Sequence, residues 1–225
     1  MKSSRYHGKL IGALFILVLA AWFTGYALIE SVISTDDGLA RINLSRNLVI
    51  TGVFFELCQV AGVIFLAVLF IPVLKLHSST RAYGYLAFRI MESVTLVIIA
   101  LSALLLITIS GEVSMSGTAN AEAQNALAEL FYAVRMEWGQ MMVAVFFGIS
   151  AILLNLTLYQ TDSLPRFITV WGLIAGVLVL VNQFVLIFFQ KNLGVFLGLP
   201  MLLNELVMGL WMIIKGFRNL PVVRN

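Results

Sequence analysis

The sequence has one cysteine, Cys58, set in an apolar run, so no intramolecular disulfide and no thiolate metal cluster can be built. Its two histidines, His7 and His77, lie outside the apolar stretches, which excludes a buried bis-histidine haem site. No lysine falls in the middle of an apolar stretch, which excludes a retinal-type Schiff base. The metalloprotease H-E-x-x-H, the Walker A loop and the G-x-S-x-G elbow are all missing. There is no run of basic and aromatic residues of the kind that binds nucleic acid. A metal site would have to be built from carboxylates alone, and nothing in the chain calls for a cofactor. Charge itself is scarce, at 11% of residues, where a soluble domain carries roughly 25%.

Apolar residues fill the gap: they make up 61% of the chain. Mean hydropathy is +1.01. Several uninterrupted apolar runs reach about 20 residues, the length a helix needs to cross a hydrocarbon core of roughly 30 Å. The runs do not alternate as barrel strands do. Lipid leaves no partner for an open backbone group, so helices are the physical choice. The reading is an all-α, polytopic transmembrane bundle forming a single domain over 1–225. Its six helices are placed at about 10–31, 48–71, 85–109, 134–158, 167–189 and 196–215. Lys2, Arg5 and Lys9 before the first run resemble a signal peptide, but the run is long for a cleaved segment and is read as a retained helix.

The breaks between runs carry turn chemistry. Asp36-Asp37-Gly38, Pro72, Ser110-Gly111, Asp162-Ser163-Leu164-Pro165 and Gln190-Lys191-Asn192 mark the boundaries. The segment Thr118–Tyr132, rich in Ala, Glu, Gln and Asn, reads either as an extension or surface helix before the fourth span or as a solvated loop.

Charge placement sets an expected orientation. With the N-terminus inside, cytoplasmic segments hold Lys2, Arg5, Lys9, Lys75, Arg81, Arg166, Lys215, Arg218 and Arg224, while outer loops hold only Arg41, Arg46 and Lys191. This positive-inside bias favours an even number of spans with both ends cytoplasmic.

Ionisable residues within the apolar runs carry the functional information. A charge at the bilayer centre costs about 2.5–3.5 kcal/mol on insertion scales, so such residues tend to face the bundle interior and to pair. Arg89 and Glu92 stand at i,i+3 and share a helix face with Tyr85, Thr95 and Ser102 nearby. They read as an internal salt bridge that permits insertion, or as the lining of a cavity with Arg89 open to an anionic group. Glu205 lies deep in the sixth run beside Asn204, five residues after Pro200. A kinked helix beside a buried carboxylate is a pattern of membrane binding sites; the plain alternative is a neutral carboxyl hydrogen-bonded to a neighbouring helix. Glu56 and Gln59 share a face of the second run. Arg135 and Glu137 are expected to be interfacial and to reach water, although depth allows a Glu56–Arg135 contact. Asn182 and Gln183 read as interhelical glue, and Gly172/Gly176 and Gly194/Gly198 as small-residue pairs that permit close helix approach.

Three segments carry a family resemblance: Leu86-Ala87-Phe88-Arg89-Ile90-Met91-Glu92-Ser93, the run 163–172 beginning Ser163-Leu164-Pro165-Arg166, and the run 204–216 beginning Asn204-Glu205 and ending Lys215-Gly216. In order and spacing the chain resembles the bacterial membrane family known as domain of unknown function 4386. That resemblance implies a compact multi-helix membrane domain in a bacterial cytoplasmic membrane and singles out Arg89, Glu92 and Glu205. It supplies no activity.

The ligand-site hypothesis drawn from these residues is Arg89, Glu92, Glu205, Asn204 and Tyr85, with Glu56, Gln59 and Arg135 as a secondary polar group. The leading expectation is a membrane protein that binds or transports a small molecule or ion. A structural or regulatory subunit without ligand, and an intramembrane enzyme on a lipid-like substrate, are the alternatives. Catalysis is the weaker of these, because no nucleophile or metal-ligand set accompanies the carboxylates. The expected partner is the lipid bilayer.

Overall fold

In a computed structural model, residues 2–33, 38–116, 121–191 and 193–218 are described; Asp36, Asp37, Thr118, Asn192 and Arg224 lie outside them. Among the described residues, helices are joined by short turns and connections. Helix α1 spans Lys2–Ile33, α2 Gly38–Leu44, α3 Arg46–Lys75, α4 Ser79–Ser116 and α5 Ala121–Ala133. A π-helical turn at Val134–Trp138 joins α5 to α6, Gly139–Gln160; α7, Arg166–Phe189, and α8, Gly194–Ile214, complete the order. Among the described residues, six helices are long and apolar enough to cross a membrane: Tyr6–Ile33, Arg46–Lys75, Ser79–Val113, Glu122–Gln160, Arg166–Phe189 and Phe196–Ile214.

Several boundaries differ from the sequence expectation. Ser110-Gly111 does not close its helix, and α4 runs on to Ser116. The Ser110 hydroxyl donates to the Ile107 carbonyl one turn back, which lets a polar residue sit inside the helix. Pro72 lies inside α3, and Pro200 inside an α8 that continues to Ile214. The segment before the fourth span is helical from Ala121 and continues through the π-turn, so the extension reading holds over its described part. Pro165 caps α7 from outside, and Gln190 ends it in the left-handed conformation, with its backbone N–H donating to the Leu186 carbonyl.

The chain divides into two compact units, one of Met1–Leu19, Gly62–Glu92 and Ala144–Asn225, the other of Ala20–Ala61 and Ser93–Val143. In the first, Phe70 is the centre of an aromatic cluster, with edge-on contacts to Phe15, Tyr85 and Phe217 at centroid distances of 6.4, 6.1 and 6.3 Å. Glycine allows α1 and α8 to touch: a methyl group on Gly12 would sit 2.6 Å from the Gly209 carbonyl oxygen. Gly172 and Gly176 take Asn155 and Ile152 of α6 against α7 in the same way, whereas Gly198 has open space around it. In the second unit, α1 meets α3 through Gly25 and Gly52, and Ile29, Val49, Val53, Ala100 and Ala103 form the core.

Candidate functional site

The first unit gathers a charged cluster. On α4, the Arg89 guanidinium donates to Glu92 through Nη1 at 2.9 Å, and both residues are buried. One turn before Arg89, Tyr85 lies on the same face; its ring centroid is 6.0 Å from the guanidinium, and that of Phe147 on α6 is 5.6 Å away. Both are at the outer limit of cation–π attraction, so the cation rests between two aromatic faces. Glu92 thus balances Arg89 within a single helix, and the pair can be buried as a neutral unit.

Glu205 on α8 adds a further carboxylate, half-buried and within electrostatic reach of Arg89 and Glu92. It makes no hydrogen bond among the described residues. Glu205 lines a cavity with Arg89, Tyr85, Ser150 and Asn155, closed by Phe15, Met201 and Met208. The volume open to a water-sized sphere is about 10 Å³, the room of about one water molecule. Two buried polar atoms of its lining residues, Arg89 Nε and Asn155 Oδ1, have no hydrogen-bond partner among the described residues. One is a donor and the other an acceptor, and buried polar groups without a partner are rare enough to need a physical reason.

Asn204 does not join this cavity. Its Nδ2 donates to the Ile168 carbonyl at 2.8 Å, tying α8 to α7. Adjacent residues point about 100° apart on a helix, so Asn204 faces α7 while Glu205 faces the cavity. The lining residues Phe147, Ser150 and Asn155 were not singled out in the sequence. Asn155 offered a signal, as an amide inside a long apolar run; Phe147 offered none.

A separate ion pair lies in the second unit. Arg135 sits in the π-turn and is fully enclosed, at 0% exposure, which corrects the expectation that it reaches water. Its guanidinium donates to Glu56 from Nη2 at 2.6 Å and from Nη1 at 3.3 Å, and Nη1 also donates to the Ile99 carbonyl at 3.2 Å. This two-pronged geometry matches the flat carboxylate to the flat guanidinium. Its physical reason is the wider turn, which aims Arg135 at α3 while leaving Glu137 exposed. Gln59, one turn beyond Glu56, is buried, and its Oε1 has no partner among the described residues. Glu30 of α1 lies in electrostatic reach of Arg135 and Glu56. Asn182 accepts a hydrogen bond from the Leu193 backbone N–H at 3.1 Å and so ties the start of α8 to the body of α7.

Among the described residues, no group of three or more His, Cys, Asp or Glu side chains could hold a metal ion. No curated protein and no solved structure matches the chain. The family model that does match is the one described as Domain of unknown function (DUF4386), over residues 10–216, and the chain belongs to that family.

Proposed function

We propose that the protein binds a proton or one small ion inside the membrane at Glu205, with Arg89 and Glu92 setting the local field, and that it moves this ion across the bilayer. The observation that carries the reading is the Glu205 carboxylate, which has no hydrogen bond among the described residues and lines a cavity the size of one water molecule beside an already neutralised Arg89–Glu92 pair. Ligand pockets for small molecules are about 300–1,000 Å³, far above the 10 Å³ found here. The volume therefore favours an ion or proton, with a water, over an organic solute. Asn155 and Arg89 both line the cavity, and each carries a buried polar atom without a hydrogen-bond partner among the described residues, an acceptor and a donor suited to a water. The charge distribution between loops supports an orientation with both ends in the cytoplasm.

Proteoliposomes enclosing a pH-sensitive dye test the reading. Under an inside-negative potassium diffusion potential, wild-type protein should acidify the lumen faster than lipid alone. Glu205→Gln should fall to the lipid rate, and Glu205→Asp should retain part of the flux. The same assay with sodium or lithium gradients separates proton from metal-cation movement. Flux in Glu205→Gln equal to wild type, or no flux of any tested ion in wild type, would defeat the proposal.

A second reading, a structural or regulatory subunit without ligand, draws support from the Arg135–Glu56 pair, whose bonds are all internal. On that reading Glu205→Gln changes stability and leaves ion movement at the lipid rate in every variant.

A further inference from the structure

The second unit contains an open cleft of about 360 Å³ that the Glu205 site does not use. Its floor is apolar, made by Ile33 of α1, Leu39 and Ile42 of α2 and Leu106 of α4. One wall is a single helical face carrying Glu129, Tyr132 and Glu137. The volume falls in the range of small-molecule sites, which combine an apolar body with a few placed polar groups.

The π-turn builds that wall. Four residues of α-helix advance about 400°, so each i,i+4 step overshoots a full turn by about 40° and an i,i+8 pair drifts by about 80°. Val134–Trp138 takes more residues per turn and winds part of this drift back. Glu137 returns to the face of Glu129, with Tyr132 between them. Both carboxylates are exposed, and neither has an ion-pair partner among the described residues. None of the described residues lining the cleft is basic.

We propose that this cleft binds a soluble amphipathic cation: an organic ammonium or phosphonium whose apolar body lies on Ile33, Ile42 and Leu106 and whose charge faces Glu129, Glu137 and the Tyr132 ring. The charge pattern selects the occupant. Two free carboxylates over an apolar floor repel an anion, leave a neutral hydrocarbon beside two solvated charges, and complement a cation. A tyrosine face adds attraction for a poorly hydrated cation.

The test uses the full chain in a neutral maltoside detergent, with radiolabelled tetraphenylphosphonium as probe and tetraphenylborate as the anion of matching shape. Wild-type protein should bind the cation saturably and the borate not at all. Glu129→Gln/Glu137→Gln, which changes only exposed side chains, should weaken cation binding by at least about fivefold, since each carboxylate contributes Coulomb attraction near the surface. Ala133→Trp, which fills the cleft from the same wall, should abolish binding while the protein elutes as wild type on size exclusion. Absence of saturable cation binding, equal binding of the borate, or a double variant weakened less than fivefold would each overturn the proposal. Glu205→Gln should bind the cation as wild type does, so this result stands apart from the fate of the Glu205 ion site.

Discussion

Arg135 holds Glu56 by both carboxylate oxygens, at 2.6 and 3.3 Å, and makes its remaining contact with the Ile99 carbonyl. Three helical segments are thereby joined at one guanidinium. The pair is buried, so removing one partner leaves the other charge uncompensated. Arg135→Met should destabilise the detergent-solubilised protein by about 3–5 kcal/mol, and Arg135→Met/Glu56→Met should recover most of that loss. A double-mutant cycle read by denaturant unfolding checks it; two additive single losses would show the pair to be uncoupled.

The contact between α1 and α8 gives a second outcome. A side chain on Gly12 meets backbone atoms of Gly209 and Ile213, which cannot swing aside. Gly12→Val should cost about 1–3 kcal/mol through overpacking. Gly111 is the control, because a methyl group placed there would meet nothing within 4 Å. Gly111→Ala should be neutral or stabilise by up to about 1 kcal/mol by removing backbone freedom from a helix. Thermal unfolding of the two variants side by side distinguishes them.

Asn204 separates hydrogen bonding from polarity. Its amide is buried and donates to a main-chain carbonyl of α7. Asn204→Leu loses that bond and should cost about 1 kcal/mol. Asn204→Asp puts an acceptor against an acceptor and should cost more than the leucine change, despite its closer shape. Equal losses in thermal unfolding would show that the 2.8 Å contact contributes little.

Gln190 ends α7 at φ 52°, a conformation in which a β-carbon crowds the backbone. Gln190→Gly should stabilise the protein by about 1 kcal/mol, with the helix content by circular dichroism unchanged.

The six spans were legible in the sequence because a bilayer accepts little except a long apolar helix, and composition alone reveals those. Ends were harder. Gly111 and Pro72 are turn formers in water, but within a long helix Gly111 costs only backbone entropy and Pro72 one hydrogen bond, and neither ends its helix. The Arg89–Glu92 pair was readable because it is local, three residues apart on one helix. The burial of Arg135 was not readable, because it depends on a π-turn, and no residue type marks a π-turn as proline or glycine marks a break. The cavity at Glu205 was half legible. The carboxylate stood out against an apolar run, but Phe147 and Ser150 reach it only through the packing of α6, which leaves no trace in hydropathy.

The widened turn at Val134–Trp138 has a consequence for the length of the chain. Its five residues wind about as far, roughly 400°, as four residues of regular α-helix. Deleting one residue from within the turn would let it close to regular winding with the phase nearly kept, whereas deleting one from the regular winding between Glu129 and the turn would rotate one side against the other by about 100°. In the second case the Glu129 and Glu137 carboxylates would part. Most point substitutions in this stretch change one contact; a one-residue change of length in the regular winding beside the turn would dial an entire helix to a different set of neighbours.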